Sequence, residues 1–227
     1  MGLFSVFGDS RGGYSKAESL LFDRVLINVA GPFHAAAMAG LAPLIQPGMR
    51  ILDVGCGGGQ FAMALADRFP NVEIVGVDLS HEQVARAVRR SAARRDRLSF
   101  VQGSALALPL DSESFDLVYS IGSLKHWPNH RLGLSECARV GKLGAPLFVM
   151  EGDRGGRQED LEQLATAWKV PQPMRAVAAA FFRVMVVGQS LDITDAKAVL
   201  ASVPTFEGTV ERVKDVPVFA IVGHRVK

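Results

Sequence analysis

Through the first two thirds of the chain, short apolar runs alternate with segments in which apolar residues recur every three or four positions. The runs Arg50–Val54, Glu73–Val77 (closing on Asp78), Leu98–Val101, Phe115–Tyr119 and Pro146–Met150 are four to five residues long and rich in Val, Ile, Leu and Phe, and they predict strands. Between them, helical spacing covers Phe61–Arg68, stopped by Pro70-Asn71, a segment from Ser80 to Arg95, and one from Asn129 to Val140. Ser80 with Gln83 three positions on has the pattern of a capping box, and Asn129 reads as an N-cap. Pro47-Gly48 and Leu143-Gly144 mark turns, and Leu106–Ser114 reads as a loop. Strands alternating with helices in this rhythm predict βαβ units and a parallel sheet.

The rhythm changes beyond Glu151. Glu159–Trp168 and Pro173–Val187 have helical spacing with no strand between them, and Thr194–Ser202 is a further helix. Gly208–Val213 and Val216–His224, joined at Lys214-Asp215, predict an antiparallel hairpin. Before the first strand, Ser15–Leu44 suggests two helices broken at Gly31-Pro32, and residues 1–15 a loose lid. The expected fold is α/β: a doubly wound, seven-stranded, mostly parallel sheet closed by a C-terminal antiparallel hairpin, with a helical N-terminal segment and a helical insertion after the fifth strand.

Composition narrows the setting. A chain of 227 residues with 48% hydrophobic residues suits one large domain. A net charge of +2 is too small to argue for nucleic acid or a membrane surface. Cys56 and Cys137 lie far apart, which fits a reducing cytosol better than a disulfide framework. Met1–Tyr14 lacks the apolar core of a signal peptide, and Ala176–Gly188 is interrupted by Arg183 and too short to span a bilayer. These features predict a soluble, cytoplasmic protein without a membrane span. The five histidines are scattered and no CxxC occurs, so no metal is expected. The cluster Arg86, Arg89, Arg90, Arg94, Arg95 and Arg97 reads as a solvated helix face, because no aromatic residues interleave it as nucleic-acid stacking would require.

The chemistry concentrates in Ile51-Leu52-Asp53-Val54-Gly55-Cys56-Gly57-Gly58-Gly59-Gln60. Strand, glycine loop and helix N-terminus in that order let a backbone approach a ligand closely. The acid before the glycines suits a ligand that carries a positive group. Gln60 stands where a dinucleotide fingerprint has its third glycine, and no Gly-Lys-Ser/Thr follows, which argues against a nicotinamide site and a P-loop. Asp53, Asp78, the loop at Gly103 and Ser120 all fall at the carboxyl ends of predicted strands, where open parallel sheets bind ligands. Asp78 suits ribose hydroxyls.

Taken together, these segments resemble the class I S-adenosylmethionine-dependent methyltransferases, in particular the small-molecule group that includes the ubiquinone and menaquinone methyltransferases. Leu52-Asp53-Val54-Gly55-Cys56-Gly57-Gly58-Gly59 resembles the family's first motif and Val75-Gly76-Val77-Asp78-Leu79-Ser80 its second. Gln102-Gly103-Ser104-Ala105 with Leu108-Pro109 resembles the third, Phe115 to Ser120 continuing to His126-Trp127-Pro128 the fourth, and Glu136 to Gly144 the fifth. The resemblance covers residues 45–152 well and the final hairpin more loosely.

It implies a Rossmann-like fold, with S-adenosylmethionine as cofactor and S-adenosylhomocysteine as product. Gly55, Cys56, Gly57 and Gln60 would flank the methionine part, with Asp53 helping to hold its amino group. Asp78 would accept from the ribose, Leu79 would pack on adenine, Ala105 N–H would meet a ring nitrogen, and Ser120 would border the site. Ser104 stands where the family often has Asp, a shorter and neutral acceptor. One domain, 1–227, would divide into an N-terminal helical lid (1–44), a cofactor-binding core (45–151), a helical insertion for the acceptor (152–190) and a closing helix and hairpin (191–227).

Methyl transfer needs in-line placement and exclusion of water, and a base only where the acceptor must lose a proton. Candidates for that role are His126, Lys125, Glu151 and Asp153; His126 leads, against the plainer reading that it and Trp127 shape the loop, and Lys125 tunes substrate choice or is simply solvated. Glu151 and Asp153 read as a solvated rim. Trp168, Met174, Phe181, Phe182 and Met185 could line an apolar acceptor pocket or form the insertion's own core or a dimer face, and His34 and Tyr14 could reach the site from the lid. The reaction expected is methylation of a small hydrophobic or aromatic acceptor. The alternative is a non-catalytic S-adenosylmethionine-binding regulator or assembly partner on the same fold, and behind it an RNA methyltransferase.

Overall fold

The computed structural model describes residues 31–167, 172–176, 180, 183, 187–188 and 190–227. Residues 1–30 of the expected N-terminal lid, with Tyr14, and Trp168, Phe181, Phe182 and Met185, lie outside the described residues. Helix α1 spans Gly31–Leu41, followed by β1 (Arg50–Val54), α2 (Gln60–Arg68), β2 (Glu73–Asp78), α3 (His81–Arg90) and β3 (Leu98–Gln102). Then come β4 (Leu117–Ile121), α4 (His130–Val140), β5 (Pro146–Gly152), α5 (Gln158–Ala167), α6 (Ile193–Ala201), β6 (Phe206–Arg212) and β7 (Val218–Arg225).

The seven strands form one sheet in the order β3-β2-β1-β4-β5-β7-β6. The pairs β3–β2, β2–β1, β1–β4 and β4–β5 are parallel; β7 is antiparallel to both β5 and β6. Strand order therefore reverses between β1 and β4, which opens a crevice at their carboxyl ends. The central strands are buried on both faces, which is why their sequences read as continuous apolar runs. On one face, Ala37 and Leu41 of α1 and Phe61, Ala62 and Leu65 of α2 pack on Ile51, Leu117, Tyr119, Phe148 and Met150. On the other, Leu134, Cys137 and Val140 of α4 and Ala196 of α6 pack on Leu52, Val54, Val118, Val149 and Phe219. Each fully buried Leu, Ile or Phe contributes about 1.5–3 kcal/mol.

Local signals set the helix starts. Ser80 Oγ accepts from Gln83 N at 3.4 Å and Asn129 Oδ1 from Leu132 N at 3.0 Å. Asp192 caps α6 in a full capping box with Asp195, a start that falls one residue before the expected one. Two boundaries are corrected. The helix after Ser80 ends at Arg90 and a 3-10 turn, Ala92–Arg94, follows it, because Arg94 is drawn onto Asp67 of α2 at 2.7 Å. The fourth strand begins at Leu117 and not at Phe115. Asp116 carries no ladder there; its carboxylate accepts from Arg50 N at 2.8 Å and pairs with Lys142 at 2.6 Å.

Candidate functional site

The loop after β1 turns by three left-handed glycines, Gly55, Gly57 and Gly59. Gly55 N and Cys56 N both donate to Val77 O, at 2.7 and 3.0 Å, which ties the loop to the end of β2. Asp78, the last residue of β2, completes the tie. Its Oδ2 accepts from Gly57 N at 2.9 Å and its Oδ1 from Ser80 N at 2.8 Å. Each carboxylate oxygen keeps a second lone pair, so the group can hold the loop and accept from a diol at once. Burial raises the Asp78 pKa, and these two N–H donors moderate the rise.

A Cβ at Gly57 would meet nothing within 4 Å, and the same holds at Gly122 after β4, so the walls of the crevice are bare backbone facing open space. Gly55 is the opposite case. With φ +80°, its ideal Cβ would fall 1.9 Å from Ser123 Oγ, so the loop after β4 presses directly on the loop after β1. Leu79, next to Asp78, leaves an apolar side chain half exposed. Ser104 spends its hydroxyl locally, accepting from Leu106 N at 3.1 Å, while Ala107 N donates to Ser104 O at 3.1 Å across the same turn that carries Ala105.

Asp53 lies inside the protein, 3% exposed, and pairs in register with Tyr119 of β4. Its carboxyl is pushed up to about 7. Burial is the main cause and the charge of Asp78 adds to it, while the Tyr119 hydroxyl opposes both, although no hydrogen bond of good geometry closes between Tyr119 and Asp53. Phe61 packs edge-on against Tyr119 at 5.7 Å, and His34 of α1 packs on Phe61 at 5.2 Å, which brings α1 over this corner. Cys56 is buried and its thiol is held well above the usual range by burial and the two nearby acids, so it serves as packing. Gln60 opens α2. Ser120 is fully buried with no hydrogen-bond partner for its Oγ among the described residues.

His126 ends a 3-10 turn, Leu124–His126, that follows β4. Burial, and then the charge of Lys125, press its pKa down to about 4, so the imidazole is neutral at neutral pH. The expectation of a solvated rim at Glu151 and Asp153 is corrected, since the two carboxylates are 2% and 1% exposed. Glu151 accepts from Lys125 N and Gly152 N; Asp153 accepts from Arg212 Nε at 2.8 Å and Gly155 N at 2.8 Å. The arginine cluster is only partly a solvated face. Arg94 and Arg97 pair with Asp67, and Arg90 reaches Gly58 O at 3.3 Å, at the glycine loop itself. Met174 is exposed, 58% accessible.

Tyr119, Ser123 and Arg90 are site residues that sequence reasoning misses. Only the β1–β4 register pairs Tyr119 with Asp53; Ser123 and Arg90 carry no local signal. Among the described residues no cluster of metal-ligating side chains occurs, and no helix is long and apolar enough to cross a membrane.

A glycine loop pinned by the acid of the second strand, at the switch point of a 3-2-1-4-5-7-6 sheet, supports a class I S-adenosylmethionine-dependent methyltransferase fold. Residues 51–144 match the family described as "Methyltransferase domain". The chain is 34% identical to the 27-O-demethylrifamycin SV methyltransferase of Amycolatopsis mediterranei, over 58% of this chain and 50% of that protein. It is 35% identical to the demethylmenaquinone methyltransferase of Deinococcus radiodurans, over 58% of this chain and 54% of that protein. The chain thus spans about half the length of the curated relatives it matches. The solved structure of a protein put forward as an S-adenosyl-L-methionine-dependent methyltransferase, from Methanococcus maripaludis, shares the fold with a TM-score of 0.73 at 19% identity, covering 94% of both chains. The cofactor of this class is S-adenosylmethionine, and the residues present fit it: open space over Gly57, a diol acceptor in Asp78, an apolar platform in Leu79, and a buried acid in Asp53 for an ammonium group.

Proposed function

We propose that this protein transfers a methyl group from S-adenosylmethionine to a small hydrophobic or aromatic acceptor. The observation that carries the reading is the glycine loop held by Asp78 beneath open space at the switch point. When bound, S-adenosylmethionine supplies an electrophilic methyl on a sulfonium. The protein contributes placement, which is much of what such a displacement needs. Asp78 binds the ribose, Asp53 faces the amino group, and the Gly55–Gly57 backbone borders the methionine part, with Cys56, Gln60, Leu79, Ser104, Ala105 and Ser120 completing the surround.

His126 is the candidate catalytic residue. A neutral imidazole whose conjugate acid has a pKa of about 4 is a weak base. It therefore accepts a hydrogen bond from an acceptor hydroxyl and orients it, and the proton leaves to solvent. A phenol, enol or thiol that ionises readily fits this better than an alcohol. The named activities of the relatives, on a rifamycin and on a demethylmenaquinone, support a small-molecule acceptor. The division into lid (1–44), core (45–151), insertion (152–190) and closing segment (191–227) belongs to the same reading, as do a cytoplasmic location and an acceptor that is not nucleic acid; a second copy as partner is left to measurement of the oligomeric state.

Calorimetry with S-adenosylmethionine, followed by transfer of its labelled methyl to a panel of phenols, quinols, thiols and RNA, tests the proposal. Micromolar binding and labelling of a phenol or quinol are expected. Asp78→Ala should weaken binding by about 100-fold or more, because it removes the diol acceptor and releases Gly57 N–H together. No binding by the wild type would overturn the reading, binding with no transfer would favour a regulator, and labelling of RNA alone would move the acceptor class.

A further inference from the structure

The geometry points to Glu151 as a positioning residue that clamps the turn carrying His126, by accepting from the backbone of that turn and of the end of β5. This rests on reading the crevice as a methyl-transfer site. Glu151 sits near the end of β5, one residue past the last β4–β5 register pair, Ile121–Met150. Beyond that pair, β4 leaves the sheet. Gly122 N still donates to Met150 O at 2.8 Å, and the chain then winds into the turn Leu124–His126. The side chain of Glu151 follows it out. Oε2 accepts from Lys125 N at 3.0 Å, and Oε1 accepts from Gly152 N at 2.8 Å.

A carboxylate that is 2% exposed is costly unless its charge is answered. Among the described residues no cation forms an ion pair with Glu151; it accepts from these two N–H groups, and its charge is also felt by His130, where it raises the pKa against the lowering by burial. Removing such a group leaves the N–H donors it holds without their acceptor, so the carboxylate fixes where they stand. The held N–H belongs to Lys125, one residue before His126.

The same turn is fixed from its other side. Trp127 Nε1 donates to Ser123 Oγ at 3.0 Å, and Ser123 fills the space that a side chain on Gly55 would need. His126 is thus set between two anchors, one on the cofactor loop and one on β5. Charge matters as well as shape: Gln at 151 could accept from one of the two N–H groups only, and would turn its own NH2 toward the other.

Amide hydrogen exchange, His126 ring resonances and calorimetry on the wild type, Glu151→Ala and Glu151→Gln test the clamp. In Glu151→Ala the Lys125 amide should exchange about tenfold faster or more, the His126 ring signals should shift, and S-adenosylmethionine affinity should stay within about twofold. Glu151→Gln should fall between, with Lys125 exchange about threefold faster, and it decides the matter if the Ala variant fails to fold. Transfer to any phenol or quinol that the wild type methylates should drop in kcat about tenfold in Glu151→Ala and recover in part in Glu151→Gln. Unchanged Lys125 exchange and His126 signals would overturn the clamp, as would a loss of cofactor affinity in step with the rate. A wild type that binds no S-adenosylmethionine would instead remove the methyl-transfer reading, while the Lys125 comparison would still judge the clamp.

Discussion

The loop after β1 and the turn after β4 face each other across one crevice, yet they are built differently. The first is bent by its own residues, three left-handed glycines, and anchored by Asp78, which accepts from Gly57 N across 21 positions. The second is shaped by residues far along the chain. Glu151 holds Lys125 across 26 positions, and the segment after Glu151 is held in turn by Arg212 on Asp153 across 59 positions and by Arg154 on Asp192 and Asp195. The cofactor side therefore tolerates little change in its own residues, whereas the β4–β5 side depends on long-range packing and can be retuned by substitutions at a distance.

The largest expected effect lies on the cofactor side. A folded-state pKa of about 7 for Asp53, against 3.8 for an ordinary aspartate, means that the folded protein holds a proton the unfolded chain has lost between those values. Asp53 then favours folding fully only below about pH 4, and its contribution is lost as pH rises toward 7 and is flat above it. The full effect is on the order of 4 kcal/mol. His126, held down to about 4, acts in the opposite direction over part of this range, so the difference carries the test: in denaturant unfolding of the cofactor-free protein from pH 4 to 8, the stability of the wild type relative to Asp53→Asn should decline. A difference between the two proteins that stays constant through this window would show that folding does not raise the Asp53 pKa.

Next comes Gly55→Ala. Left-handed backbone and overlap with Ser123 together should lower stability by about 2–3 kcal/mol in urea unfolding. Equal stability would mean that the two loops do not touch, and that the contrast between them is overdrawn. On the other side, Arg212→Ala takes the guanidinium from the buried Asp153 and leaves it the Gly155 N–H. Since Arg212 is itself partly solvated, the cost should be about 1–2 kcal/mol, with cofactor affinity unchanged in the same preparation. A fall in cofactor affinity would join the two sides into one unit. The smallest change is Gly57→Ala, at about 1 kcal/mol, since only φ is strained there and no atom lies within 4 Å. Its cofactor affinity should nevertheless fall tenfold or more, because a methyl would occupy the open wall.

The cradle was legible in the sequence because its causes are local. Asp53, the glycines and Asp78 stand in contiguous motifs, and the caps at Ser80 and Asn129 act on backbone three residues away. Strand boundaries were legible to within a residue or two where apolar runs end, and slipped at Phe115 because a buried aromatic before the strand continues the same run.

What the chain determines by itself is the order of elements, the doubly wound class and the identity of the cofactor loop, since periodicity, capping and φ preference act over a few residues. Only the tertiary structure decided that Glu151 and Asp153 are buried, that Tyr119 stands beside Asp53, that Ser123 rests on Gly55 and that Arg90 reaches the loop. Burial and pairing of that kind arise when strands distant in sequence come into register, and periods of two and 3.6 residues carry no record of which strand will lie next to which.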